Sequence, residues 1–504
     1  MPTRFPVCLA ILASLVLWTV SPLRSALAQY EGAESPPEQI REGFESIRDD
    51  QAEEWLSVLA SAEFAGRGTG QPGYAKAAQW VADRLAGFGW APIGDDGTYF
   101  QNVPLTRITP DAQASSITGP NDLKISGEKD LGFTNHVSGP AVTGKVVFVN
   151  ARGADQKLSA DLALKGKLVV FVEKDTGSTV IRAIMKKQPA AIIRVTQDKP
   201  TSRTRFVSGK PSSRQGRIDA VVSEQAAQKL AEAVGAAAEL VKPREETGLK
   251  IEEVDAELTV ELKLSEQPLK TPNVVAWFEG SDPEVKHEYV TIGAHLDHLG
   301  ERRGEVYLGA DDNASGTTAI LQIAEAISKN PVKPRRSVLF IAFAAEELGL
   351  LGSRHYCEHP LKPIKDMICM LNLDMVARNE ENDKETAEEN EDTMHLVGTK
   401  KIAIGLHETA LEANRHVSFQ LEFDAEKVFN RSDHASFHRK GVPVVFIFCG
   451  FGPRYHRTTD TLEAINYHKL ASAARLGYVT LMKTTDHGHY ERQPETSAKA
   501  SPKK

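Results

Sequence analysis

The chain has 504 residues and a formal net charge of -8, enough length for two or more hydrophobic cores at roughly 100 to 200 residues per domain. With its pI near 6.1, it has no basic excess to neutralise phosphates, which excludes a general nucleic-acid binder.

At the N-terminus, Arg4 precedes an apolar stretch from Val7 to Val20, and Ala26-Leu27-Ala28 matches a small-x-small cleavage pattern. Residues 1–28 are therefore expected to be a signal peptide. The stretch is too short and wrongly flanked for a spanning helix, so the processed chain is expected to be secreted or periplasmic, without stable membrane insertion. Cys357, Cys369 and Cys449 then remain. They are too few for a disulfide scaffold, although a Cys357 to Cys369 bridge is allowed.

From Pro37 to Phe88 the pattern is helical, interrupted at Ala65 to Gly73. The interruption formally matches a dinucleotide fingerprint, but helical residues precede it and no βαβ unit surrounds it, so it reads as a Gly/Pro turn. Between about Asn121 and Glu266 short strands take over: Lys145 to Val149, Lys167 to Val172, Ala191 to Val195, Ile218 to Val222 and Glu257 to Leu264. Helices are predicted for Thr179 to Lys187 and after Ser223, which suits an N-cap. No cluster of His or carboxylate ends these strands. The segment Arg182 to Arg217 is basic and reads as a solvated face, with an anionic partner as the alternative.

From Thr271 to about Thr485 strands and helices alternate: strands Val274 to Phe278, Tyr289 to His295, Val338 to Ala344, Met367 to Leu373 and Val444 to Phe448, helices Ala314 to Ser328, Lys401 to Ala413 and Tyr467 to Lys483. Near-continuous apolar runs indicate central strands covered on both faces, an α/β architecture with its site at the strand ends. The acidic segment Asn379 to Asp392 is expected to be a solvated loop, and residues 487–504 a disordered tail.

Polar chemistry collects where these apolar strands stop. One delivers His295, Asp297 and His298, one Glu346 and Glu347, one Asp374, and the last leads to Tyr455 and His456; Asp311 and Asp312 open the first helix. Carboxylates at the inner ends of hydrophobic strands cost several kcal/mol apiece unless cations neutralise them, which points to divalent metal. Imidazole and carboxylate donors without thiolate suit zinc or a similar ion. Adjacent Glu346 and Glu347 can divide ligation from proton transfer, and Asp297 and Asp460 are placed to orient the imidazoles of His295 and His456.

Five segments, Ala294-His295-Leu296-Asp297, Gly309 to Gly316, Ala345 to Gly349, Asn372 to Met375 and Tyr455 to Thr461, resemble in order the motifs of the di-zinc aminopeptidase family. That family also holds glutamate carboxypeptidase II and the glutaminyl cyclases. The resemblance implies a zinc-dependent exopeptidase fold, α/β with a mixed, mostly parallel central sheet flanked by helices. Residues 121–266 are similar to the protease-associated (PA) domain inserted in many members, a smaller α/β unit. Residues 29–120 then form the helical N-terminal part and 267–486 the di-zinc peptidase domain, with Phe64 to Gly70 resembling the family's N-terminal segment.

Carried over by motif, the resemblance implies two Zn2+, bridged by Asp312, with His295 and Asp374 on one and Glu347 and His456 on the other. Glu346 becomes the general base for metal-activated water. Tyr455 becomes a candidate oxyanion donor, with packing as its alternative. Arg431 resembles a substrate-contacting arginine, with a salt bridge to Asp433 as its alternative. Asp311 is expected to bond within its loop. His298, His355 and His434 match no ligand position and are expected at the surface or behind the ligands. The expected function is a metallo-aminopeptidase acting on peptides, with the oligomeric state left open. Competing readings are a carboxypeptidase or dipeptidase, for which Arg431 and Arg454 would bind a terminal carboxylate, a glutaminyl cyclase, or a non-enzymatic relative resembling transferrin receptor.

Overall fold

The computed structural model describes residues 30–493 except 138, 154–155, 210–215 and 303. The expected signal peptide and the end of the expected tail lie outside the described residues. Two sheets organise the rest, one of ten strands and one of eight.

The larger sheet is built around four parallel strands, Ser337–Phe343, Tyr289–His295, Met367–Leu373 and Val444–Phe448, in that spatial order. Every residue of these strands is buried, which is why they read as continuous apolar runs rather than alternating ones. Antiparallel pairing begins on either side of this core, with Leu264–Phe278 against Ser337–Phe343 and Thr393–Val397 against Val444–Phe448. The helices Gly316–Lys329 and Tyr467–His487 pack on one another and against the central strands. Because the central strands are parallel, their C-terminal ends open on one edge of the sheet, and the candidate site lies there.

The smaller sheet is centred on Val142–Arg152, Leu168–Val172, Ala191–Thr196 and Ile218–Ser223, all parallel, with Gly248–Glu261 antiparallel beside the first. It buries an apolar cluster on each face, Phe148 and Val170 in one, Val147 and Phe171 in the other. Ser223 caps the Glu224–Ala233 helix by accepting from the Ala226 amide at 3.1 Å, as its place before the apolar run predicts.

Three features differ from expectation. The second region is not confined to its own sheet, because Arg205–Ser208 pairs antiparallel with Phe100–Pro110 at the edge of the larger one. Its expected limit at 266 falls inside the continuous strand Leu264–Phe278. The expected tail begins too early: the last helix runs to His487, and Tyr490 is buried with its hydroxyl 3.0 Å from Thr409 Oγ1. Cys357, Cys369 and Cys449 are all buried and free, so the allowed bridge is absent.

Candidate metal centre

The strand ends bring carboxylates and imidazoles together around Asp312. His295 Nε2 lies 3.3 Å from Asp312 Oδ1 and 3.2 Å from Asp374 Oδ1. His456 Nε2 lies 3.1 Å from Asp312 Oδ2 and 3.2 Å from Glu347 Oε2. Asp312 thus presents one oxygen to each imidazole. Asp312 is held well below the usual carboxylate range: burial raises it, but His298, His295 and His456 outweigh burial. His456, although burial pulls it down, is pushed up to about 9 by its hydrogen bonds to Asp312 and Glu347.

The backbone that aims these groups is itself held by buried polar contacts. His295 Nδ1 donates to the Asp297 carbonyl at 2.9 Å, which leaves Nε2 directed at the carboxylates. Asp297 therefore orients the ring through its main chain. Its carboxylate accepts instead from the Glu346 amide at 3.0 Å and from Thr69 Oγ1 at 2.8 Å, fixing the Glu346-Glu347 turn. Asp460 likewise departs from expectation. It does not meet His456; its two oxygens accept from the Asp311 and Asp312 amides at 3.1 and 3.2 Å, with Arg378 Nη2 at 2.7 Å as counter-charge. Asp311 bonds not within its own loop but to the loop after Met367–Leu373, accepting from the Ala377 amide at 2.9 Å.

Asn313 joins the same two loops by donating to the Leu373 carbonyl and accepting from the Gly316 and Met375 amides. At Gly309, with φ of 61°, a Cβ would lie 2.4 Å from the His298 ring and 2.2 Å from the Asp312 carbonyl oxygen, so only glycine fits between them.

Glu346 lines the same small pocket as His295, Asp312 and Asp374 but, unlike Glu347, forms no ion pair with an imidazole. Burial, followed by the nearby carboxylates of Asp433, Asp374 and Glu347, holds it well above the usual carboxylate range even though His295 opposes this. Arg431, Tyr455, Phe446, Phe448 and Phe451 complete the pocket wall. Arg431 does not bridge to Asp433. Its Nη2 donates to Tyr455 Oη at 3.0 Å, and its guanidinium lies 5.0 Å from the Phe451 ring centre. The Tyr455 ring stacks on His456 at 3.9 Å between centres.

Residues 273–480 match the family model "Peptidase family M28". This region of the chain is similar to peptidase family M28. Aminopeptidase YwaD of Bacillus subtilis (strain 168) is 30% identical over 225 residues, covering 43% of this chain and 45% of the relative. The chain spans about half the length of the named relatives it matches. Among solved structures, the aminopeptidase from Aneurinibacillus sp. strain AM-1 superposes with a TM-score of 0.53 at 20% identity, over 90% of this chain and 97% of that one. The zinc aminopeptidase BSAP from Bacillus subtilis gives 0.52 at 20% identity, over 87% and 95%. At these identities the likeness is one of fold.

Around the centre stand groups that sequence reasoning missed. His298 is not at the surface: its Nδ1 is 2.9 Å from Glu347 Oε1 and 3.6 Å from Asp312 Oδ2, so two imidazoles flank the same pair of carboxylates. Its place after Asp297 was a signal, but a turn residue there can point either way. His434 is also buried, between Phe446 and Phe429 and away from the carboxylates, and its burial pushes it down to about 3. His355 stacks on His359 away from the centre. Ser432 donates to Asp374 Oδ2 at 2.7 Å and receives Asn372 Nδ2 at 2.7 Å. Arg67, wholly buried, donates to the carbonyls of Leu59, Leu296, Leu308 and Gly309 at 2.7 to 2.9 Å. It pins the loops that carry Asp297 and Asp312.

The donor set fits zinc. It offers nitrogen and oxygen without thiolate, the carboxylates of Asp312, Asp374 and Glu347 converge with the imidazoles of His295, His298 and His456, and the buried His298 Nε2 has no hydrogen-bond partner.

Proposed function

We propose that the chain is an exported zinc aminopeptidase that hydrolyses the first peptide bond of substrates with a free N-terminus. The observation that carries this reading is the convergence of His295, Asp374, Glu347 and His456 on the two oxygens of Asp312. These five residues would hold two zinc ions, which polarise a carbonyl and activate water when bound.

Glu346 is the proton carrier in this reading. It stands beside the candidate ligands without being tied to an imidazole, free to take a proton from water and pass it to the leaving amine. Tyr455, held by Arg431, is placed to donate its hydroxyl to the oxygen that gains charge at the attacked carbon. Asp312, Asp374 and Glu346 favour a protonated α-amine, and Phe446, Phe448 and Phe451 offer apolar surface to the first side chain. The region around the smaller sheet serves as an accessory unit of PA type, supplying no group that meets Asp312.

Arg431 in the pocket wall favours a second reading, a carboxypeptidase that binds a terminal carboxylate. Comparing one peptide with its N-acetylated and C-amidated forms separates the two. Acetylation is expected to abolish cleavage and amidation to leave it intact. The opposite pattern replaces aminopeptidase with carboxypeptidase.

A further inference from the structure

Beside the candidate centre lies a cleft of about 1050 Å³, far larger than the pocket at the carboxylates, and Glu347 borders both the cleft and the centre. One wall is the turn and helix after Glu347, including Arg354. The other comes from the second region: His136, Arg203, Arg205 and Arg217. The pairing of Arg205–Ser208 with Phe100–Pro110 positions that wall, placing the basic segment on the edge of the larger sheet in a fixed register, Ile108 opposite Arg205 and Leu105 opposite Ser208.

The charge of this lining is not balanced. Arg217 is neutralised by Asp219, at 2.6 and 3.0 Å. Among the described residues, no carboxylate lies within 4 Å of the guanidinium groups of Arg203, Arg205 or Arg354; Arg354 donates instead to the Gly349 carbonyl. Glu347, the acid in the lining, is already engaged by His298 and His456. In a chain of net charge -8, three cations without a carboxylate partner thus face a cleft that opens against an acidic centre. Clustered like charges repel, and an anion placed among them removes that cost.

We propose that this cleft binds carboxylate groups on the part of the substrate that follows the scissile bond, with Arg203, Arg205 and Arg354 as its cations. The inference rests on the aminopeptidase reading, which places the N-terminal residue at Asp312 and directs the remaining chain outward. The volume is that of a site for a drug-sized ligand, enough for a few residues. The carboxylates come either from acidic side chains or from the C-terminus of a short peptide.

The test compares kcat/KM for Leu-Glu-Glu-amide, Leu-Gln-Gln-amide, Leu-Lys-Lys-amide and Leu-Gln-Gln with a free C-terminus. An exposed ion pair is worth up to about fivefold. The Glu peptide, the free-acid peptide or both are expected to exceed the Gln amide by about that factor, with the Lys peptide below it, and which of the two gains identifies the source of the carboxylate. Raising the salt to about 1 M, where screening acts within about 3 Å, is expected to bring the ratios toward one. In the double variant Arg205→Gln, Arg354→Gln, the same ratio, measured within one preparation so that overall activity cancels, is expected to fall to within about twofold. Equal kcat/KM for all four peptides, or a ratio that the double variant leaves unchanged, overturns the proposal. If N-acetylated peptides are cleaved and free ones are not, the aminopeptidase reading fails instead. The cleft is then decided by fluorescence anisotropy, in which equal affinity of labelled tetraglutamate and tetraglutamine peptides overturns it.

Discussion

Replacing Arg67 by methionine removes a buried cation of similar length and tests whether the segment before the first long helix holds the candidate centre together. The side chain is 0% exposed and satisfies four carbonyls from three stretches of chain. Burial lowers its affinity for a proton to about 10, with Asp460, Asp312, Asp297 and Glu347 opposing the fall. Each buried acceptor left without a donor costs about 1 to 3 kcal/mol, and the lower figure for four of them gives about 4 kcal/mol. That agrees with the roughly 3 to 5 kcal/mol expected when one partner of a buried charged arrangement is removed. For a unit of this size it corresponds to a fall in Tm of about 10 °C. The Leu296 and Gly309 carbonyls lie next to the loops of Asp297 and Asp312, so zinc affinity is expected to fall by about 10- to 100-fold as the loops relax. Thermal unfolding with and without added zinc, and competition with a chelating dye, read the two effects separately. A Tm shift below about 2 °C with unchanged zinc affinity would refute the reasoning, because four buried acceptors cannot lose their donor at so small a cost.

The two neighbouring glutamates are expected to fail differently. Glu346→Gln retains zinc and loses turnover by at least about 100-fold, whereas Glu347→Gln weakens zinc retention itself; metal content and kcat measured on both variants check this, and exchanged outcomes would reverse the roles. Asp460→Ala deprives the Asp311 and Asp312 amides of their acceptor and leaves Arg378 without its counter-charge, so a loss of about 3 to 5 kcal/mol is expected, together with weaker zinc binding by dye competition. His395 lies with Nε2 2.8 Å from Glu380 and Nδ1 3.2 Å from Asp424; burial lowers its affinity for a proton, but these carboxylates and Glu422 raise it above the ordinary 6.5. A raised histidine stabilises the fold fully below about pH 6.5 and ceases to do so as pH rises through its folded-state value. His395→Gln is therefore expected to reduce the fall in Tm between pH 6 and pH 9, and an unchanged slope would count against it.

The local signals survived folding where the residues settle matters among themselves. Ser223 caps the helix that follows it, and the apolar runs ending in His295, Glu346-Glu347 and Asp374 are central strands, because a continuous apolar run of that length is buried on both faces whatever its neighbours. The candidate ligands were legible for the same reason: acids at the end of such runs have no low-cost explanation except a cation.

Which atom of each residue does the work was decided only by tertiary structure. Asp297 orients His295 through its carbonyl and gives its carboxylate to the Glu346 amide and Thr69, while Asp460 holds the Asp312 backbone rather than His456. Spacing along the chain places a residue near a site but leaves its χ angles, and hence its partner, to the surrounding packing. The same limit hid His298 and Arg67, whose partners lie 49 and 229 positions away at Glu347 and Leu296. It hid the strand Arg205–Ser208 too, a four-residue Arg-Phe-Val-Ser segment too short to show an apolar alternation, which pairs because the edge of Phe100–Pro110 offers it free backbone groups.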